Sequence, residues 1–189
     1  MIKLNMYENP FSSWAYNVID EFKPLTQEQI KAEVAKRTLP ISILMSNIQG
    51  DFNFSSVIRN ANAFGARNIY YIGNKRFDRR GTMGVMHYSP VTYLKSMQEL
   101  IDLKSQFSFV AADNVDGAKP IETFNWSTAK SPLVIIGEES VGIPQEIFKL
   151  ADVKVSIKQR GSVRSLNAAT AAGIILYDFC AKYKVINIE

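Results

Sequence analysis

The chain of 189 residues contains one cysteine, Cys180, and one histidine, His87. One cysteine excludes a disulfide within the chain. One cysteine and one histidine are also too few to form the cluster of such residues that binds zinc. A Ser-His-Asp triad is disfavoured as well, and we interpret His87 as a surface or packing residue rather than a catalyst. Asp113 and Asp116 are more typical of turn acids than of metal ligands. We therefore expect no metal.

Long apolar runs are also missing. No segment approaches the roughly 20 apolar residues of a membrane span, and the N-terminus lacks the basic and apolar halves of a signal peptide. We expect a cytoplasmic protein. No strand is followed by G-x-G-x-x-G, and G-x-x-x-x-G-K-[ST] does not occur. An ordinary dinucleotide or NTP site is therefore disfavoured.

The composition is that of a globular protein, with 47% hydrophobic and 21% charged residues. A domain of this length buries roughly 70% of its unfolded surface, so a core is available. The net charge of +4 and the isoelectric point near 9.1 suit a polyanion partner. A similar excess is also common in proteins that bind no nucleic acid.

Short apolar segments alternate with helical patterns along the chain. Because these segments are apolar throughout, both faces of their sheet should be covered, as in a parallel α/β domain with helices on both faces. The predicted strands are residues 41–46, 68–73, 107–112, 132–137 and 153–157. The predicted helices are residues 26–37, 53–65, 96–106, 144–150 and 166–183. We assign residues 1–39 to an N-terminal extension and helix, with Phe11, Trp14 and Tyr16 packed on the body, and residues 40–189 to one domain.

Ligands of such sheets bind beyond the carboxyl ends of the strands. The loops after Gly73, Ala112, Gly137 and Ile157 lie at this edge. Basic residues follow two of the strands, where they either bind phosphates or form a solvated surface. They are Lys75, Arg76, Arg79 and Arg80 after one strand, and Lys158, Arg160 and Arg164 after another. Tyr88 and Tyr93 are candidates for base stacking or for core packing.

Three segments combine glycine, small residues and polar side chains. The first runs from Asn53 to Gly65, where we expect Asn53 to cap a helix and Arg59 to lie within its first two turns, near the ligand edge. The alternatives are a plain cap and a plain surface arginine. The second is L-V-I-I-G-E-E-S-V-G-I (133–143), and the third is I-K-Q-R-G-S-V-R-S-L-N-A-A-T-A-A-G (157–173).

Together these segments resemble the SpoU, or TrmH-like, family of RNA ribose 2′-O-methyltransferases, which belongs to the SPOUT class. The resemblance spans about residues 40–183. It implies a parallel sheet with a C-terminal trefoil knot, and a homodimer with active sites near the subunit interface. It also implies that S-adenosylmethionine is the cofactor and that a structured RNA, tRNA or rRNA, is the substrate.

By this resemblance, Arg59, Asn53, Glu139, Ser165 and Asn167 match the catalytic positions of the family. Arg59 would lie at the ribose, and because a guanidinium stays protonated we favour stabilisation of the developing alkoxide over a role as base. Glu139 would orient Arg59, while Ser165 and Asn167 would hold ribose or phosphate oxygens. Helix capping is the alternative for Ser165.

The resemblance also implies the cofactor contacts. Backbone at Gly137, Ile157 and Leu166 would bind the adenosine part, and Ala112 and Gly142 would complete the site. A turn that requires glycine also explains Gly137 and Gly142.

Some positions depart from the family pattern. Ser55 stands where glycine is common, Glu138 where asparagine is frequent, and Lys158 where proline is frequent. We expect these changes to affect the geometry of the cofactor loops and not the reactive side chains. Without a separate N-terminal RNA-binding domain, target choice would come from the dimer surface and the terminal segments. The alternative functions are a catalytically inactive RNA-binding protein of this fold and a base methyltransferase of the same class.

Overall fold

The computed structural model describes residues 18–48, 50–74, 77–138 and 140–183. Within these ranges the chain forms seven strands and five α-helices. The strands are β1 (Leu39–Ser46), β2 (Ala66–Ile72), β3 (Val91–Leu94), β4 (Ser108–Ala112), β5 (Lys119–Pro120), β6 (Pro132–Ile136) and β7 (Val153–Ser156). The helices are α1 (Gln27–Lys36), α2 (Asp51–Ala63), α3 (Met97–Asp102), α4 (Gln145–Phe148) and α5 (Ala168–Lys182). Short 3-10 helices span Asp20–Phe22, Arg79–Thr82, Val85–His87, Leu103–Ser105, Ile121–Thr123 and Trp126–Thr128.

The seven strands form one sheet in the order β3-β2-β1-β6-β4-β7-β5, and every pairing is parallel. This confirms the predicted parallel sheet and its five predicted strands. The sequence analysis missed β3 and β5, which are the two edge strands and have four and two residues. Runs this short carry little periodic signal, and edge strands are often short.

Helices cover both faces of the sheet, as the continuous apolarity of the strands predicted. In β1, Ile43 and Met45 pack into a cluster that includes residues of α1, α2 and α5. Leu44 points to the opposite face, where α3 and α4 close a second cluster. The alternation of side chains along each strand thus supplies two cores.

The beginning of α2 corrects one prediction. The helix starts at Asp51 after Gly50, whose φ of +80° is readily adopted by glycine, so Asn53 is not the cap. Arg59 consequently lies in the third turn of α2 and not in the first two. The extra turn moves Arg59 farther from the helix start than the sequence analysis placed it.

The other helix starts agree more closely with the sequence patterns. Thr26 and Gln29 form the predicted capping box at α1. Pro144 precedes α4 as its N-cap instead of standing in its first turn, and α4 ends at Phe148. At α5 the cap is Asn167, so the helix begins two residues later than predicted.

The N-terminal helix α1 packs on the same core as the sheet, through Ile30 and Val34. The division of the chain at residues 39 and 40 remains a prediction, and Phe11, Trp14 and Tyr16 lie outside the described residues. Of the helices that the structure describes, none is long and apolar enough to span a membrane.

Candidate active site

A cavity of about 570 Å³ opens at the carboxyl ends of β6, β4 and β7, which are neighbours in the sheet. Its lining comes from the loops after these strands and from the beginning of α5. The lining residues are 112–115, 136–138, 140–142, 155, 157, 159, 164–166, 168, 171 and 175. The loops after Ala112, Gly137 and Ile157 therefore meet at one cavity, at the edge of the sheet where the sequence predicted them. The loop after Gly73 follows β2 and does not line this cavity.

Two glycines shape one wall of the cavity. A Cβ atom at Gly137 would overlap the backbone of Gly142 and Ile143. Gly142 has a φ of +73°, and a Cβ atom there would lie 2.9 Å from Oδ2 of Asp113. The turn that joins the two glycines is closed by two backbone hydrogen bonds between Glu138 and Gly142, of 3.1 and 2.8 Å. Glycine at both positions therefore lets the turn close tightly beside the cavity, where a side chain would collide with the protein itself.

The opposite wall begins at the N-terminus of α5. The Oδ1 atom of Asn167 accepts hydrogen bonds from the backbone of Ala169 (3.0 Å) and Thr170 (3.2 Å). Its Nδ2 atom donates to Oδ1 of Asn53 at 2.7 Å. Asn167 therefore caps α5 and also ties that helix to the first turn of α2. This contact joins the first and third motifs of the sequence analysis.

A second contact holds α2 against α5. Nδ2 of Asn60 donates to the carbonyl oxygen of Ala169 at 2.8 Å. A Cβ atom at Gly173 would lie 3.1 Å from the same nitrogen, so the small-residue face of α5 permits the close packing. The two helices form a rigid support beside the cavity.

All five residues predicted for cofactor binding line the cavity. They are Ala112, Gly137, Gly142, Ile157 and Leu166. Ser165 and Arg164 line it as well, and both side chains are exposed. Asp113, which the sequence indicated as a turn acid, also lines the cavity, and so does Gln159, for which no role was predicted. Gln159 was detectable in principle, because it follows Val155 and Ile157 at the two-residue spacing of one face of an extended chain.

Arg59 lies apart from the cavity. It is exposed in a separate depression on α2, lined also by Ser56, Asn60, Asn62, Ala63 and Val85. Six residues of helix separate Arg59 from Asn53, a rise of about 9 Å. Within the chain the structure thus brings Asn53 to the mouth of α5 but does not bring Arg59 to the cavity. Glu139, its predicted partner, lies outside the described residues.

The basic residues after β2 lie on a turn that packs against α2. Arg79 and Arg80 are exposed, and Ser55 donates a 3.3 Å hydrogen bond to the carbonyl oxygen of Asp78 just before them. A Cβ atom at Gly81 would lie only 2.7 Å from Oγ of Ser55, so the turn lies tightly on the helix. The hydroxyl of Ser55 thus helps to hold this basic turn. Lys75 and Arg76 lie outside the described residues.

The guanidinium of Arg80 is already paired. It hydrogen-bonds the carboxylate of Asp78, and this hydrogen bond lowers the pKa of Asp78. Around the third motif, Lys158 and Arg160 are exposed, in agreement with a surface role.

The aromatic and titratable candidates near the basic turn have packing roles. Tyr88 is 6% exposed, and burial raises its pKa, so its ring belongs to the core and is not available for base stacking. The hydroxyl of Tyr93 donates to the carbonyl oxygen of Gly73 at 3.2 Å. Burial, followed by the charge of Arg79, lowers the pKa of His87. Among the described residues, no group of three or more His, Cys, Asp or Glu side chains is placed to hold a metal ion.

Comparisons with known proteins identify the family of this arrangement. A family model described as the SpoU rRNA Methylase family matches residues 40–177. A tRNA (guanosine(18)-2′-O)-methyltransferase of Aquifex aeolicus is 27% identical over 157 residues, which cover 80% of this chain and 74% of that protein. The crystal structure of the A. aeolicus TrmH/SpoU tRNA modifying enzyme shares the fold, with a TM-score of 0.73 at 24% identity over 82% of this chain and 81% of that chain.

A second solved structure holds a ligand. It is the SpoU methyltransferase AviRb from Streptomyces viridochromogenes in complex with the cofactor AdoMet. The TM-score is 0.68 and the identity 28%, over 78% of this chain. The chain spans 58% of the length of AviRb.

Proposed function

Because this chain belongs to the SpoU rRNA Methylase family, we propose that it transfers a methyl group from S-adenosylmethionine to a ribose 2′-hydroxyl of a structured RNA, tRNA or rRNA. One observation carries the proposal. The second and third sequence motifs line one cavity at the carboxyl ends of three neighbouring strands, and the first motif is joined to its mouth by the hydrogen bond between Asn53 and Asn167.

The cavity has the properties that S-adenosylmethionine needs. Its volume falls in the range of about 300–1,000 Å³ that is typical of small-molecule sites. The turn from Gly137 to Gly142 places backbone along the cavity, and Val155 and Ile157 provide an apolar wall. We assign cofactor contacts to Gly137, Gly142, Ile157, Leu166 and Ala112. When bound, S-adenosylmethionine supplies a methyl group that its positively charged sulfur has already activated.

We infer that the protein is a homodimer. The α5 helix, which begins at the cavity, exposes Ile174 by 37% and Tyr177 by 59%. Exposed apolar side chains on one helix favour a protein interface. The separation of Arg59 from the cavity supports the same inference, because a second subunit would supply the arginine that one protomer does not bring to its own cavity.

In this arrangement Arg59 of the partner subunit faces the reactive ribose. Its guanidinium stabilises the 2′-oxygen as the proton leaves, and a phosphate or water accepts that proton. Asn167 and Ser165 hold ribose or phosphate oxygens at the mouth of α5, and Asn53 holds the amide of Asn167 in position. We retain Glu139 as the residue that orients Arg59.

We assign RNA phosphate binding to six basic residues of the segments that follow β2 and β7 in the sequence. They are Lys75, Arg76, Arg79, Arg80, Arg160 and Arg164. The ion pair with Asp78 lowers the positive charge that Arg80 offers to a phosphate. We also propose the C-terminal trefoil knot, a reaction that needs no metal, and a cytoplasmic location.

The test is methyl transfer from isotopically labelled S-adenosylmethionine into separate tRNA and rRNA pools, followed by nucleoside analysis. We expect label in a 2′-O-methylnucleoside from one pool. Label in a methylated base would instead indicate a base methyltransferase. Cofactor binding with no transfer to either pool would indicate an inactive RNA-binding protein.

A further inference from the structure

The side chain of Gln159 is the most unusual polar group of the cavity. Gln159 follows β7 and lines the cavity together with Val155 and Ile157. Its amide nitrogen and its amide oxygen are both inaccessible to solvent, and neither has a hydrogen-bond partner among the residues that the structure describes. Buried polar groups are normally paired, because an unpaired donor or acceptor loses its hydrogen bonds to water without replacement. An unpaired amide on a residue that lines a ligand cavity therefore indicates a partner on the ligand, which the amide reaches by a rotation of its side chain.

The chemistry of an amide limits what that partner is. A glutamine amide offers donors on one atom and an acceptor on the other, side by side. Among the groups of S-adenosylmethionine, the carboxylate only accepts hydrogen bonds and the ammonium group only donates them, whereas the ribose hydroxyls and the adenine edge do both. The edge of adenine presents a donor, the 6-amino group, next to a ring-nitrogen acceptor, and glutamine pairs with this edge through two hydrogen bonds.

The apolar surroundings of Gln159 are suited to binding a purine ring. Val155 is 1% exposed and lines the cavity beside Ile157 on the same side of the segment. An apolar wall of this kind suits the flat face of an aromatic ring, whereas the charged end of the cofactor would lose solvation against it. The wall and the amide together therefore fit the face and the edge of one base.

We propose that the side-chain amide of Gln159 binds the adenine edge of the cofactor, accepting from the 6-amino group and donating to a ring nitrogen. The proposal rests on the proposed function, since it concerns the same cavity. It makes Gln159 a residue that selects adenine over purines with a different edge. This selection comes from a side chain, in addition to the backbone contacts assigned to Gly137, Ile157 and Leu166.

Isothermal titration with S-adenosylhomocysteine, the demethylated product, tests the proposal without RNA or turnover. The second ligand is the analogue in which hydrogen replaces the 6-amino group. We expect the wild-type protein to bind S-adenosylhomocysteine about 10-fold more tightly than the analogue, since one hydrogen bond to a buried amide is lost. In Gln159→Leu we expect S-adenosylhomocysteine to bind about 10-fold more weakly and the preference between the two ligands to disappear.

The controls separate binding from folding. Gln106→Leu makes the same change at an exposed glutamine outside the cavity and should leave both affinities unchanged. Without ligand, Gln159→Leu should unfold at the wild-type temperature or higher, because an unpaired buried amide has been replaced by an apolar group. A lower unfolding temperature would show that the amide has a partner within the protein and would overturn the proposal.

The remaining outcomes are equally decisive. If Gln159→Leu keeps the wild-type affinity, or keeps the preference for the 6-amino group, the amide does not bind adenine, while the proposed function stands. If the wild-type protein does not bind S-adenosylhomocysteine at all, both this inference and the proposed function fail.

Discussion

The cofactor cavity and the depression around Arg59 are built in different ways. The shape of the cavity comes mainly from backbone, namely three strand ends and a turn in which two glycines approach their neighbours closely. The Arg59 depression is a surface of α2 whose central group is one exposed side chain. The difference implies a division of labour. Changes at the two glycines of the cavity should alter folding and cofactor affinity together, whereas changes at Arg59 should alter turnover alone.

The largest expected effect is that of Arg59→Ala. Removing a group that stabilises charge in the transition state typically costs about 100- to 1,000-fold in kcat. We expect a loss of this size in methyl transfer, with the unfolding temperature and the affinity for S-adenosylhomocysteine nearly unchanged. Arg67→Ala removes the same charge at an exposed position on β2 and serves as the control. Equal turnover by the Arg59→Ala and wild-type proteins would refute the assigned role.

Gly137→Ala should have the opposite profile. The new methyl group would overlap the backbone of Gly142 and Ile143 and would force the turn open. We expect a destabilisation of about 1–3 kcal/mol, as in other overpacked sites, together with a large loss of affinity for S-adenosylhomocysteine. Chemical denaturation and isothermal titration measure the two effects.

The matched control for this substitution is Gly161→Ala. Apart from its two neighbours in the chain, no described residue has an atom within 4 Å of a Cβ atom built at Gly161, so the free energy of unfolding of this variant should stay close to that of the wild type. If Gly137→Ala were as stable as Gly161→Ala and bound the ligand normally, the backbone account of the cavity would be wrong.

Asn167→Ala should produce a smaller change that touches both regions. The substitution removes the cap of α5 and leaves Oδ1 of Asn53 without the amide of Asn167, so we expect a stability loss of about 1 kcal/mol. Thr26→Ala removes a cap of the same kind from α1, away from the cavity, and should cost a similar amount. Only Asn167→Ala should also reduce methyl transfer. Equal methyl transfer by the two variants would show that Asn167 only caps α5 and has no role in catalysis.

The smallest effects concern the basic surface. Arg79→Ala and Arg160→Ala should each weaken RNA binding for all RNA sequences alike. Each should also reduce, by about one, the slope of the logarithm of the binding constant against the logarithm of the salt concentration. Lys31→Ala removes an exposed positive charge from α1 and should leave the slope unchanged. Filter binding at several salt concentrations measures the slope. A Lys31→Ala protein with the same altered slope would point to a diffuse charge effect and not to this surface.

The two regions also differ in how far the sequence predicted them. Strands such as residues 132–137 and the lining positions Gly137, Ile157 and Leu166 were predicted because their patterns depend on local chemistry, either continuous apolarity or a glycine in a turn. The placement of Arg59 was wrong by one helical turn, because the positive φ of Gly50 starts α2 before Asn53. The sequence alone does not show whether a glycine before a helix has a positive or a negative φ.

Other features depend on contacts between distant parts of the chain. The insertion of β6 between β1 and β4, and the hydrogen bond from Asn167 to Asn53 across 114 residues, arise from tertiary packing. No local pattern contains them. The same is true of the unpaired amide of Gln159, whose surroundings are known only once the cavity exists.

Mixing two inactive variants tests most directly whether the cavity of one subunit and Arg59 of another form one site. Arg59→Ala and Gly137→Ala proteins are combined, and subunit exchange is verified by co-purification of differently tagged chains. Heterodimers then contain one cavity and one arginine that are both intact and belong to opposite subunits. We predict that the mixture recovers about one quarter of the wild-type methyl transfer, the value for random pairing in a twofold dimer. Verified exchange without recovery would contradict a site shared between subunits.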